Sequence, residues 1–363
     1  MRRGGSVCSS ARLSFVRQAS TASSSSLSAN LRLIQQHTLK LVQSYDYPNY
    51  LNAFFYPQEA RYDYLAIRAF NVELSNVADS VKSPQLGRLR FQWWREAVAS
   101  LQHDKPLPHP TVQALHAAHR RRKLSTYHLN RLIEAREQNI LSPSYDTISN
   151  LTTYAQSTSL SLLLLQLYLL TPAGCSKIEN IPLSTIDHSL SHLATYICIS
   201  QVIRSIPFFA NKRILVLPRD IASAHGVVEE AVFRALPSSS QEKGLQRRSE
   251  DGGDADDAFQ PVIQACEELV ALAELERSKA RWTLGLETSG DEEHAALAQG
   301  RTLSRLPKAI SPVFLSAVPA RSLLKQFVGT AGGNPFHPSI RVNANRNWKL
   351  PFQTWWASRT DQF

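Results

Sequence analysis

Residues four apart on a helix share a face, and two carboxylates so placed can hold magnesium while the ion keeps its waters and grips substrate phosphates. The stretch IRAFNVELSNVADSV, residues 67–81, reads as one amphipathic helix and sets Ser75 and Asp79 in that relation. One carboxylate stands where a magnesium-diphosphate clamp needs two. Glu73 lies about two residues off this face and does not replace Ser75. Other candidates for chemistry are weaker. The eleven histidines include no H-E-x-x-H, and His116 and His119 have no acidic ligand nearby, so the histidines are read as surface residues. DGGDADD at 251–257 does not match a calcium loop, and VGTAGGNP at 328–335 follows no strand and lacks the P-loop Lys-Ser/Thr. Cys8, Cys175, Cys198 and Cys266 lie far apart with no C-x-x-C, which suits reduced thiols. No cofactor and no metal site is expected.

The elements that carry these residues are helices. Apolar residues recur at three- and four-residue spacing over 31–44, 62–82, 86–101, 110–137, 145–171, 184–206, 258–289 and 302–328, and no run alternates as a half-buried strand does. The fold class is therefore all-α. Prolines fall between these runs or at their edges, Pro207 among them. The uncharged run 147–176 has its densest apolar part at Leu160–Leu170, half the roughly 20 residues a membrane span needs, and reads as a helix surrounded by other helices.

With 363 residues and 43% hydrophobic content the chain can bury a large core. The formal charge of +10 points to an anionic partner. The basic cluster HRRRK at 119–123 has no interleaved aromatics and reads as a solvated helix end, so no nucleic-acid partner is expected. Residues 1–30 are Arg- and Ser-rich, and the first acidic residue of the chain is Asp46, the composition of a mitochondrial presequence. Residues 237–257 are polar with Leu245 as their large apolar anchor and are expected to be a disordered insertion. Residues 336–363 form a basic aromatic tail with Trp348, Trp355 and Trp356, suited either to a membrane interface or to packing on the bundle.

The order PQEARYDYLAIRAFNVELSNVADSV, RLRFQWWREAV, YAQSTSLSLLLL and CISQVIRSIPFFANKRILVLPRD resembles the squalene/phytoene synthase family over about residues 35–330. The resemblance implies an isoprenoid-synthase-like helical bundle around a central cavity, with two D-x-x-x-D helices facing each other to hold the metal that stabilises a departing diphosphate. The first motif falls on Ser75 and Asp79 and the second on Ser205 and Phe209, so one of four implied aspartates remains. Pro207 sits inside the second motif, where a proline is expected to break or kink the helix.

A kept scaffold with lost aspartates resembles the branch of that family that assists assembly of mitochondrial respiratory complex I, and R-A-F-N-V-E-L, Q-W-W-R-E and F-H-P-S fit that branch. The resemblance implies a non-catalytic protein at the matrix side of the inner membrane, peripherally attached, whose partners are complex I subunits or assembly intermediates of the membrane arm. The alternatives are an active prenyl-diphosphate-using transferase and an isoprenoid- or lipid-binding protein.

Overall fold

The computed structural model describes residues 31–363 apart from 82, 104, 172–173, 237–251, 289–293, 295–297, 299–301 and 343–346. The presequence expected at 1–30 lies outside the described residues, as does most of the insertion. A first helix, α1, runs over 31–45. It is followed by α2 (Tyr47–Asn52), α3 (Gln58–Ser80), α4 (Pro84–Ala99), α5 (Pro110–Arg122), α6 (Thr126–Leu141), α7 (Ile148–Ser157) and α8 (Ser159–Leu170). A two-residue hairpin, β1 (Lys177–Ile178) with β2 (Ile181–Pro182), leads into α9 (Leu183–Ala210), α10 (Arg219–Ala224), α11 (Glu229–Ala235) and the long α12 (Gly252–Leu284). Shorter helices at Ser311–Phe314, Val318–Gly329, Pro338–Val342 and Leu350–Thr360 close the chain.

Local chemistry sets the boundaries. Ser83 caps α4 by accepting from the Leu86 amide at 3.4 Å, and Pro84 occupies the first helical position, where its missing N–H costs nothing. The apolar run 110–137 is divided because Lys123 takes a left-handed conformation at φ 53° and ends α5. The run 145–171 is divided at Thr158, whose ψ of −77° and hydroxyl bond to Tyr154 O, 2.7 Å, turn the chain between α7 and α8. The 328–335 segment turns through Gly332 and Gly333 at positive φ, and a Cβ on Gly333 would meet Ile263 Cγ2 at 3.0 Å.

The core has two main clusters that share α8. Leu162, Leu165 and Leu169 pack with α3–α6, while Leu163, Leu164 and Leu167 pack with α9, α12 and the C-terminal helices. This is why α8 is apolar all round: both of its faces are covered. Its buried amide, Gln166, accepts from Tyr56 Oη at 2.9 Å and Ser316 Oγ at 3.2 Å. Among the described residues α9 is the helix long and apolar enough to cross a membrane, yet 67% of its most apolar window is buried inside the protein. It serves as the central helix, packed along α12.

Three expectations are corrected. α9 continues through Pro207 to Ala210 instead of stopping. The proline stands one turn from the helix end, so it costs a single interior bond, and Asn211 N (3.3 Å to Pro207 O) and Lys212 N (2.8 Å to Phe209 O) close the last turn. α12 starts at Gly252, inside the segment expected as an insertion. Residues 336–363 are not a separate tail: Phe336 packs on Phe259 with ring centroids 4.7 Å apart, and Ile340, Leu350, Ala357 and Phe363 are buried.

Candidate functional site

Between α3, α6, α7, α8, α9 and the C-terminal helices lies a cavity of about 420 Å³. α3 and α9 present Ser75 and Ser205 to it, together with Phe209, so the two motif helices do face a common space. Asp79 is not among the lining residues. It is exposed at the end of α3 and pairs with Lys212 Nζ at 3.4 Å.

None of the four positions is arranged to hold a metal. Ser75 Oγ donates to Asn71 O at 2.8 Å and Ser205 Oγ donates to Val202 O at 2.8 Å, and the neutral oxygens that remain carry no charge to match a magnesium ion's preference for carboxylates. Phe209 packs half-buried against the core and offers no ligand atom. Among the described residues the charged lining is three arginines, Arg68, Arg136 and Arg204, against one carboxylate, Asp46, already ion-paired to Arg68. A magnesium-diphosphate clamp needs anionic oxygens facing inward, and this cavity presents cations. The residues do not fit the metal that the fold family uses.

The remaining lining mixes neutral polar side chains with apolar ones such as Val72, Leu162, Ile197 and Leu323. Arg136 donates to Tyr154 Oη at 3.0 Å and Asn71 Oδ1 at 3.3 Å. Burial pushes the Tyr145 and Tyr154 phenols up, with Arg136 opposing, so both stay neutral hydrogen-bonding groups. Burial likewise pushes the Cys198 thiol up to about 12, which removes it as a nucleophile at neutral pH. Among the described residues Arg136 Nε and Gln166 Nε2 line this space without a hydrogen-bond partner.

The family resemblance set Ser75 and Ser205 toward one cavity, which both line, but gave no sign of Arg68, Arg136, Asp46 or Lys212, whose convergence depends on tertiary packing. Glu73 is engaged elsewhere, accepting from Thr111 Oγ1 at 3.3 Å. The basic cluster at 119–123 is more than a solvated helix end. Arg121 is ion-paired to Asp63 and Arg122 Nε lies 3.5 Å from it, and Asp63 is fully buried. The expectation of surface histidines also fails in part: His294 is buried, and it converges with His188 and His192.

A family model for squalene/phytoene synthase matches residues 42–328. The chain belongs to the squalene/phytoene synthase family. Within it, the chain is similar to a Rattus norvegicus protein named NADH dehydrogenase (ubiquinone) complex I, assembly factor 6, at 31% identity over 88% of this chain and 81% of that one. The Homo sapiens protein of the same name is 34% identical over 54% of this chain and 57% of its own. Among solved structures, the fold is similar to squalene synthase HpnC from Alicyclobacillus acidocaldarius, with a TM-score of 0.62 at 16% identity, covering 85% of this chain and 97% of that one. It is also similar to a dehydrosqualene synthase, with a TM-score of 0.64 at 12% identity, covering 91% and 98%. Likeness at such identity carries the isoprenoid-synthase fold and nothing about activity.

Proposed function

We propose that this chain is a non-catalytic assembly factor for mitochondrial respiratory complex I, acting in biogenesis of its membrane arm. The observation that carries the reading is the fate of the four motif positions: Ser75 and Ser205 bonded to their own backbones, Phe209 packed, and Asp79 paired to Lys212 outside the cavity. The relatives' names supply the process. Prenyl transfer needs diphosphate charge stabilised in a preorganised site, and three arginines with one neutralised carboxylate do not supply that metal site. Cells lacking the protein should lose assembled complex I on native gels, and S75A/D79A/S205A should restore it as well as wild type. Purified protein should show no magnesium-dependent turnover of farnesyl or geranylgeranyl diphosphate. Robust turnover, or failure of the triple alanine variant alone to restore assembly, would overturn the reading.

Attachment to the matrix face of the inner membrane is part of the same proposal. The helix Leu350–Thr360 buries Leu350, Thr354 and Ala357 and turns Phe352, Trp355 and Trp356 outward. Trp348 is also exposed, and Lys349 and Arg359 lie over the Trp348 and Trp355 rings at 5.7 and 5.2 Å. An exposed aromatic face flanked by cations suits the headgroup level of an anionic bilayer. High-salt or carbonate washing should release the protein, and W355A/W356A should raise its soluble fraction. Retention after carbonate would reject peripheral attachment.

A second reading rests on the cavity itself. Three arginines and two unpartnered polar nitrogens suit the head of an anionic amphiphile held without chemistry. Mass spectrometry of extracted protein should find a stoichiometric bound lipid or isoprenoid if that reading is right, and none if the cavity is only structural.

A further inference from the structure

A second cluster of chemistry-bearing side chains lies at the opposite end of α9 from the motif positions. His188 and His192 stand one turn apart on α9, and His294 reaches them from the segment that follows α12. None of the three lines the central cavity, and the thirteen-residue step from His192 to Ser205 places the cluster about 20 Å along the helix axis from the motif positions.

Two of the separations match the edges of a coordination shell. His192 Nε2 is 3.2 Å from His188 Nε2 and 3.3 Å from His294 Nε2, and one ligand atom from each ring falls within a 4.8 Å span. Zinc binds imidazole at about 2.0–2.1 Å in a tetrahedral arrangement, which sets neighbouring ligand nitrogens about 3.3–3.4 Å apart. Three nitrogens converging on one small volume is what a bound ion requires.

The surroundings fix the tautomer. Glu276 Oε2, on α12, lies 2.7 Å from His192 Nδ1. The carboxylate holds the proton on Nδ1 and leaves the Nε2 lone pair directed at the cluster, the carboxylate–histidine–metal arrangement that orients a ligand ring and raises its basicity. The other carboxylate oxygen accepts from Lys279 Nζ at 3.1 Å, so Glu276 is itself held in place. Trp282, with its ring centroid 6.1 Å from that of His294, covers one flank. His294 is buried while His188 and His192 are half-buried.

We propose that His188, His192 and His294 bind one zinc ion, with water in the fourth position and Glu276 orienting His192. Imidazole donors suit zinc, copper, iron and nickel, and the tetrahedral spacing favours zinc over the square-planar preference of copper(II) and nickel(II). The ion would tie the segment carrying His294 to the α9–α12 pair. The competing arrangement is a set of hydrogen bonds between neutral imidazoles, which needs no metal.

The test is titration of the chelator-treated full-length protein with Zn²⁺ alone, in competition with a chromogenic chelator, and with Co²⁺ as a spectroscopic probe. Wild type should take up one equivalent of zinc and show the intense visible ligand-field band of tetrahedral cobalt. H192Q and H294Q, with unchanged circular dichroism, should lose the band, and E276Q should bind zinc about 10–100-fold more weakly with the ligands intact. Absence of stoichiometric uptake by wild type, or equal uptake by wild type and H192Q/H294Q, would overturn the proposal. Wild-type uptake is decisive even where a variant fails to fold.

Discussion

Lys212 Nζ sits 3.4 Å from Asp79 Oδ1 and 4.0 Å from the centroid of the Phe208 ring, so the one aspartate left at the motif positions faces a lysine. Both side chains are about half-exposed, and such a pair contributes little to stability. Its importance is electrostatic address: an ammonium stands beside the last carboxylate that could have met a metal. Because α9 is intact through Phe209, aspartates at 205 and 209 would share a face with regular helical spacing. The variant S75D/S205D/F209D should therefore gain measurable Mg²⁺ affinity by calorimetry only when K212A is added, and should still turn over no prenyl diphosphate. Equal Mg²⁺ affinity with and without Lys212 would show the lysine to be irrelevant. F209D should also cost about 2 kcal/mol of unfolding free energy, since it trades packed apolar surface for a charge.

Gln166 is the polar joint between the two halves of the core. Q166L should destabilise by about 2–3 kcal/mol in urea, because it strands the buried Tyr56 hydroxyl as well as removing the bond to Ser316. Y56F removes one donor and leaves Ser316 to serve Gln166, so it should cost about 1 kcal/mol. If Y56F proves the more damaging of the two, the network is not organised around the amide.

Asp63 offers an asymmetric test. R121A/R122A strands a fully buried carboxylate and should cost about 3 kcal/mol. D63N should cost about 1 kcal/mol, because both arginines are partly exposed and can turn to water. Urea unfolding of the two variants decides the order.

Acid should weaken the fold through His109 and His128. Burial lowers both from the usual 6.5; for His109 the carboxylate of Glu73 opposes burial and His37 adds to it, and for His128 Arg131 adds to it. Below pH 6.5 the unfolded chain binds protons that the folded chain refuses, so stability falls as pH drops through 6.5 toward the lower folded values. Urea midpoints between about pH 6.5 and 5 should fall in wild type and fall less in H109Q/H128Q. An unchanged slope would assign the acid sensitivity to other groups.

The family resemblance set Ser75, Ser205 and Phe209 at a shared space, though not Asp79 one turn from Ser75, and periodicity was sufficient for the helices. It was insufficient wherever partners come from distant chain. Lys212 is 133 residues from Asp79, Arg121 is 58 from Asp63, and His294 is 102 from His192. The i, i+4 spacing of His188 and His192 was visible in the sequence, but two imidazoles on a helix imply nothing until a third group arrives. Pro207 misled for a different reason: the penalty for an interior proline assumes helix on both sides, and here less than one turn follows.

The sharing of α8 has a consequence for how the molecule can be taken apart. Leu162, Leu165 and Leu169 close one cluster and Leu163, Leu164 and Leu167 the other, so neither half possesses a complete interior of its own. Cutting the chain on either side of this helix leaves one fragment with an open apolar wall and the other with an α8 whose second apolar face is uncovered. The protein is indivisible in that sense: two cores in space, one cooperative unit in thermodynamics, made so by twelve residues that belong to both.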